Sequence, residues 1–101
     1  MKLIRGKLEG DTVLTEDTEL HGIIVGTTTV ESGSALRLHG MITGNLILKE
    51  NSSVEMHGMV NGDVYNKGGH LAVFGTVNGR VVRESGQTSI DPQAVIRDGV
   101  S

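Results

Sequence analysis

Apolar residues in this chain fall at every second position, and the alternation itself repeats. Leu36, Leu38, Gly40, Ile42, Gly44, Leu46 and Leu48 form one such run, and Leu71, Val73, Gly75, Val77, Gly79 and Val81 another. Period two sends alternate side chains to opposite faces of an extended strand. A helix needs apolar positions three and four apart, and glycine-rich segments make poor helices. The pattern predicts strands throughout.

The strands are copies of one unit. Gly-x-x-x-Gly occurs at Gly6/Gly10, Gly22/Gly26, Gly40/Gly44, Gly58/Gly62 and Gly75/Gly79, in steps of 16, 18, 18 and 17 residues. Aliphatic columns keep the same phase: Leu20, Leu38, Met56 and Val73 before the first glycine, with Ile4 in that place in the first copy; Leu8, Ile24, Ile42, Val60 and Val77 between the glycines. Thr12, Thr28, Leu46, Val64 and Val81 follow, and Thr18, Leu36, Val54 and Leu71 precede each later copy. A unit this short cannot bury its apolar face alone, so the copies must stack. The expected fold is all-β: a single-stranded, three-sided parallel β-helix (β-solenoid) of about five to six coils of roughly 16–18 residues, filling residues 3–100 as a single domain. Polar stretches such as Glu31–Ser34, Lys49–Ser53, Asn66–Gly69 and Glu84–Gly86 supply the turn residues of one corner. The inward glycines are expected at bends where a Cβ would collide with the core. Register is expected to be lost after Ser85, where Thr88, Ile90, Ala94, Ile96 and Val100 make an imperfect last coil and Pro92 withholds one ladder donor.

Composition agrees with this architecture. The 101 residues include 15 glycines, no cysteine and no tryptophan, with Tyr65 and Phe74 as the aromatics, so Val, Ile and Leu must fill the interior. The absence of cysteine excludes a disulfide scaffold, thiolate metal sites and thiol catalysis. A net charge of −3, with no basic patch and no series of stacking aromatics, speaks against nucleic acid as a partner. No apolar run reaches the length of a membrane span and no signal-peptide core follows Met1, so a cytoplasmic setting is expected. Lys2, Arg5 and Lys7 could touch an anionic membrane surface, but a solvated strand edge is the preferred reading.

Little in the chain suggests catalysis. His21, His39 and His57 each precede the first glycine of a copy, so they are expected to point outward and stack as a ladder continued by Phe74. Imidazole ligates zinc, yet no fourth ligand recurs at a matching position, and a plain surface stack is preferred. Charging three adjacent imidazoles below about pH 6 is expected to weaken folding or assembly, given an ordinary pKa near 6.5. No serine sits in a nucleophile turn, and no glycine-rich loop precedes a helix that could hold phosphate. The protein is read as non-enzymatic, with no cofactor and no metal.

The repeats HGIIVG, HGMITG, HGMVNG and FGTVNG, each followed by an aliphatic strand and a polar turn, resemble those of the bactofilins. These are bacterial cytoskeletal proteins that polymerise and are built on a right-handed parallel β-helix. The resemblance covers roughly residues 3 to 100, without the flexible, often proline-rich tails that family members carry. A left-handed hexapeptide solenoid, the fold of many acyltransferases, competes, because Ile24, Val30, Leu36, Ile42, Leu48, Val54 and Val60 fall six apart. The 16- and 17-residue steps break that hexad at both ends, which favours the right-handed form.

Two functions follow as expectations. The resemblance implies a structural protein that associates with itself end to end without nucleotide. The terminal coils would expose strand edges and core side chains, with Leu3, Ile4 and Leu8 at one end and Ile90, Val95 and Ile96 at the other. The alternative is a protein-binding module, such as an immunity or adaptor protein. It would present an outward apolar stripe of Ile23, Met41, Met59 and Phe74 flanked by His21, His39 and His57.

Overall fold

The computed structural model describes residues 1–101 and contains strands and turns but no helix. The chain winds through three sides per coil. The first coil is β1 (Lys2–Ile4), β2 (Lys7–Glu9) and β3 (Thr12–Leu14); the second is β4 (Thr18–Leu20), β5 (Ile23–Val25) and β6 (Thr28–Val30). The third is β7 (Ala35–Leu38), β8 (Met41–Ile42) and β9 (Leu46–Leu48), and the fourth opens with β10 (Ser53–Met56) and β11 (Met59–Val60). From there β12 (Val64–Val73) and β14 (Val81–Ile90) each run through a corner, from the third side of one coil into the first side of the next. Between and after them lie β13 (Thr76–Val77) and β15 (Val95–Ile96). Every pairing is parallel and joins a strand to its counterpart in the adjacent coil; the second side is a six-stranded sheet with one strand per coil.

This is the expected β-solenoid, and its register is the one read from the glycine pairs. Thr18 pairs with Leu36, Leu36 with Val54, and Val54 with Leu71. Leu8, Ile24, Ile42, Val60 and Val77 likewise lie in one column, as do Thr12, Thr28, Leu46, Val64 and Val81. These columns supply most of a single core of 17 buried apolar residues running along the axis. Truncating one of them at a fully buried position, as in Ile42→Ala, opens a cavity in that core, a change worth about 2–5 kcal/mol in well-packed cores.

The corner between the first two sides is tight enough to demand glycine. His39 and Gly40 N–H groups both donate to the Leu20 carbonyl, at 2.8 and 2.9 Å, and the same fork recurs at Ile4, Leu38 and Met56. A Cβ on Gly40 would collide with the Gly22 carbonyl oxygen of the coil below. The expected Cβ collision at the bend is present, and what the Cβ meets is the backbone of the neighbouring coil. The corner between the third and first sides instead uses a column of left-handed residues, Gly33 (φ 82°), Asn51 (φ 61°), Gly68 (φ 139°) and Gly86 (φ 77°), which bends the chain without a fork.

Two further expectations need correction. Register is not lost after Ser85: Leu71 pairs with Thr88 and Val73 with Ile90, with a bulge confined to the corner. The displacement comes at residues 91–94. Asp91 N–H donates to the Val73 carbonyl, but Pro92 falls where the glycine of the fork would stand and has no N–H to give. The chain detours until Val95 N–H reaches the Gly75 carbonyl, so Ile96 pairs two residues late over Val77. Asn66, expected at the surface of a turn, is fully buried in the column of Leu14, Val30 and Leu48. Its amide donates to Gly69 O, Gln87 O and Thr88 Oγ1 and accepts from the N–H groups of Gly68 and Gly69. That one side chain satisfies the shortened corner which lets β12 run on unbroken.

Candidate functional site

The outward residue of the glycine fork builds the histidine ladder. Because each of these residues donates to the coil below, their side chains repeat at the strand spacing of about 4.8 Å. His21 and His39 rings stack with centroids 4.9 Å apart and planes 10° apart; His39 and His57 follow at 5.1 Å and 7°, and His57 and Phe74 at 4.9 Å and 7°. The ladder expected from the alternation is present in full. Arg5 precedes it in the same column and Asp91 follows it.

Beside the ladder runs a column of alternating charge, Glu19, Arg37 and Glu55. The Nε2 of His21 lies 2.5 Å from Glu19 Oε1, and that of His57 lies 2.6 Å from Glu55 Oε1, while His39 has no such partner. The hydrogen bond from each imidazole holds the Glu19 and Glu55 carboxyls below the usual carboxylate range. Glu19, His21 and His39 place their ligand atoms within 4.8 Å of one another. Zinc bound at about 2.0–2.1 Å brings two nitrogens to at most ~4.2 Å, along lone pairs that converge on the ion. Parallel rings 4.9 Å apart direct their lone pairs side by side instead, so the stack itself does not aim at a shared ion.

The stripe on the second side is one column, with Ile23 over Lys7, then Met41, Met59, Thr76 and Val95. Ile23 is 39% exposed and Phe74 43%, but Met41 and Met59 are half-buried. Asn61 and Asn78 amides point at the Met41 and Met59 sulfurs, at 3.8 and 3.6 Å, and Asn78 donates to Asn61 Oδ1 at 2.8 Å. The methionines are thus clasped by an asparagine ladder, and the stripe is less apolar than its sequence. A shallow, open trough of about 660 Å³ crosses the first side, where small residues such as Ala35, Ser53, Ala72 and Ser89 lie between Arg37, Glu55 and His70.

Two features escaped the sequence reading. The outer column of the third side, Val13, Thr29, Ile47, Tyr65 and Val82, forms a second apolar stripe, with Val13 57% exposed at its foot. At the corner leading into that side, side chains of one coil cap the backbone of the next: Asp11 Oδ1 accepts from Thr27 N–H, Asn45 Oδ1 from Asp63 N–H, and Asp63 Oδ1 from Arg80 N–H. The recurrence of Asp, Thr or Asn directly after the second glycine was the available signal.

The end residues divide into two kinds. Ile4 and Leu8 in the first coil, and Ile90 and Ile96 in the last, continue the inward columns and lack a neighbour on one side. Leu3 and Val95 point outward on the flanks, in the columns of Glu19 and Thr76. Along their lower edges β1, β2 and β3 pair with no strand, and β15 pairs only with β13. Above β14 the sole bridge joins Val81 to Val100. No helix is long and apolar enough to cross a membrane. Comparison with protein-family models, with curated proteins and with solved structures finds no match.

Proposed function

We propose that this protein is a non-enzymatic structural element that associates end to end without nucleotide, as its resemblance to the bactofilins implies. One observation carries the reading: both end coils leave strand edges unpaired while two aliphatic columns, Ile4 to Ile90 and Leu8 to Ile96, run out to them. Such an edge offers backbone donors and acceptors at the spacing of the next strand, with apolar surface beside them. A second copy of the chain satisfies both. Light scattering against protein concentration, with negative-stain microscopy, tests this. Particles should lengthen with concentration in the absence of nucleotide, and Ile4→Glu or Leu8→Glu should shorten them. Discrete particles of one size at every concentration and salt would count against it.

The alternative, a module that presents one face to another protein, draws support from the stacked ladder of His21, His39, His57 and Phe74. A flat, pre-ordered surface loses little side-chain entropy on contact. Its test is a pull-down with wild type and with Met41→Asp. Equal recovery of a partner by both would remove the stripe from consideration.

A further inference from the structure

We infer that Met41 and Met59 are sites of reversible oxidation by peroxide, placed so that the amides of Asn61 and Asn78 receive the sulfoxide oxygens. The inference is independent of what the end coils do. Met41 and Met59 are neighbours in one outward column of the second side. Each is half-buried, with its sulfur beside the amide of an asparagine from the next coil. Asn61 Nδ2 lies 3.8 Å from Met41 Sδ, and Asn78 Nδ2 lies 3.6 Å from Met59 Sδ.

The direction of these amides is set from one end. Arginine carries donors only, so the Asn78 atom that Arg97 Nε reaches at 2.7 Å is the carbonyl oxygen. The Asn78 nitrogen therefore turns the other way, donating to Asn61 Oδ1 at 2.8 Å and facing Met59 Sδ. Asn61 accepts with its oxygen at that contact, which turns its own nitrogen to Met41. Arg97 thus orients both asparagines so that each presents a donor to a sulfur. A thioether is a weak acceptor, and the pairing stays weak while the methionines are reduced.

Peroxide changes the acceptor. A sulfur lone pair attacks one oxygen of hydrogen peroxide; the O–O bond breaks, an S–O bond forms, and water leaves with both protons. The thioether is oxidised by two electrons and the peroxide reduced by two. The sulfoxide is polar, and the flexible methionine chain can bring its oxygen to the ordinary ~2.9–3.0 Å from the same amide nitrogen. Because the amide stands on one side of each sulfur, one of the two sulfoxide epimers meets it better. The stripe turns polar while the strand register is kept, and reductases that each act on one epimer reverse the change. The other methionines serve as internal references: Met1 is 71% exposed, and Met56 is fully buried in the core.

Treating the folded protein with hydrogen peroxide and mapping its peptides by mass spectrometry tests this, with no cysteine to compete for the oxidant. Met1, Met41 and Met59 should each gain one oxygen while Met56 stays reduced. Met41 and Met59 as resistant as Met56 would overturn the inference. Treating the peptides with each epimer-specific reductase should reveal an unequal epimer mixture at Met41 and Met59 from folded protein, and a near-equal one from protein oxidised in urea. Near-equal mixtures from both would overturn it. Oxidation should leave the melting temperature of the wild type unchanged and lower that of an Asn61→Leu, Asn78→Leu double variant. A fall of equal size in both proteins would show that the asparagines do not receive the oxygens. If the double variant does not fold, the epimer ratio in the wild type decides the matter by itself.

Discussion

The ring of Phe74 lies parallel to that of His57, with centroids 4.9 Å and planes 7° apart, closing a stack that begins at His21. Phe74 has no polar partner, so the contact is dispersion and ring stacking. Phe74→Ala should lower stability by about 0.5–1.5 kcal/mol beyond the area it uncovers, and Phe74→His should recover much of that. Urea denaturation of the two variants measures the difference; an equal loss in both would assign the effect to apolar burial.

Strong acid should remove the stability that Glu19 and Glu55 supply. Their carboxyls are held low by hydrogen bonds from His21 and His57. A carboxyl whose folded pKa lies below its unfolded value contributes stability above the unfolded value and loses it as pH falls through the folded one. Melting temperature should therefore drop as pH is taken from about 5 to about 3, and Glu19→Gln with Glu55→Gln should flatten that drop. Parallel pH profiles for wild type and the double variant would contradict this.

Gly40→Ala should be severe. The new Cβ meets the Gly22 carbonyl, a backbone atom that cannot turn aside. The expected cost is at the upper end of overpacking effects, about 3 kcal/mol or more. Thermal melts of Gly40→Ala and wild type at matched concentration check it, and a loss under about 1 kcal/mol would mean the fork opens readily.

Asn66→Leu restores the aliphatic column but leaves the Gly68 and Gly69 N–H groups without the oxygen that they share. Each unsatisfied buried donor costs about 1–3 kcal/mol, so the variant should be less stable than wild type despite its added apolar volume. Hydrogen exchange should show those two amides opening first.

Lys2 shares the inward column of Thr18 and Leu36, where a charge opposes the burial that stacking would impose. Lys2→Leu should lower the concentration at which assemblies appear. Scattering at fixed ionic strength reads the change, and a shift to higher concentration would contradict end-to-end burial of this column.

Most of the fold was legible because parity survives in a solenoid. Once Leu36 is placed inward, every second residue to Leu48 follows, and the glycine spacing aligns neighbouring coils. The histidine ladder was readable for the same reason. Residue type misled where it overrode parity: Asn66 lies two positions beyond Val64 and so faces inward, but its polarity suggested a surface turn. Leu3 and Val95 are apolar and terminal, yet parity sends them outward. The Val13, Ile47, Tyr65 and Val82 stripe obeys the same alternation and was passed over because no histidines mark it. What parity cannot supply is the detour at 91–94, since it depends on the fork needing two consecutive N–H groups and Pro92 having none.

The paired registers of Leu20 with Leu38 and Leu38 with Met56 have a bearing on size. Both steps are of equal length, so excising Leu38–Glu55 would drop Met56 into the place that Leu38 leaves, with His57 stacking directly on His21. Neither terminal surface would notice. The molecule is in this sense a ruler with interchangeable middle segments, whose height can change by whole turns of the spiral while its joining chemistry stays fixed.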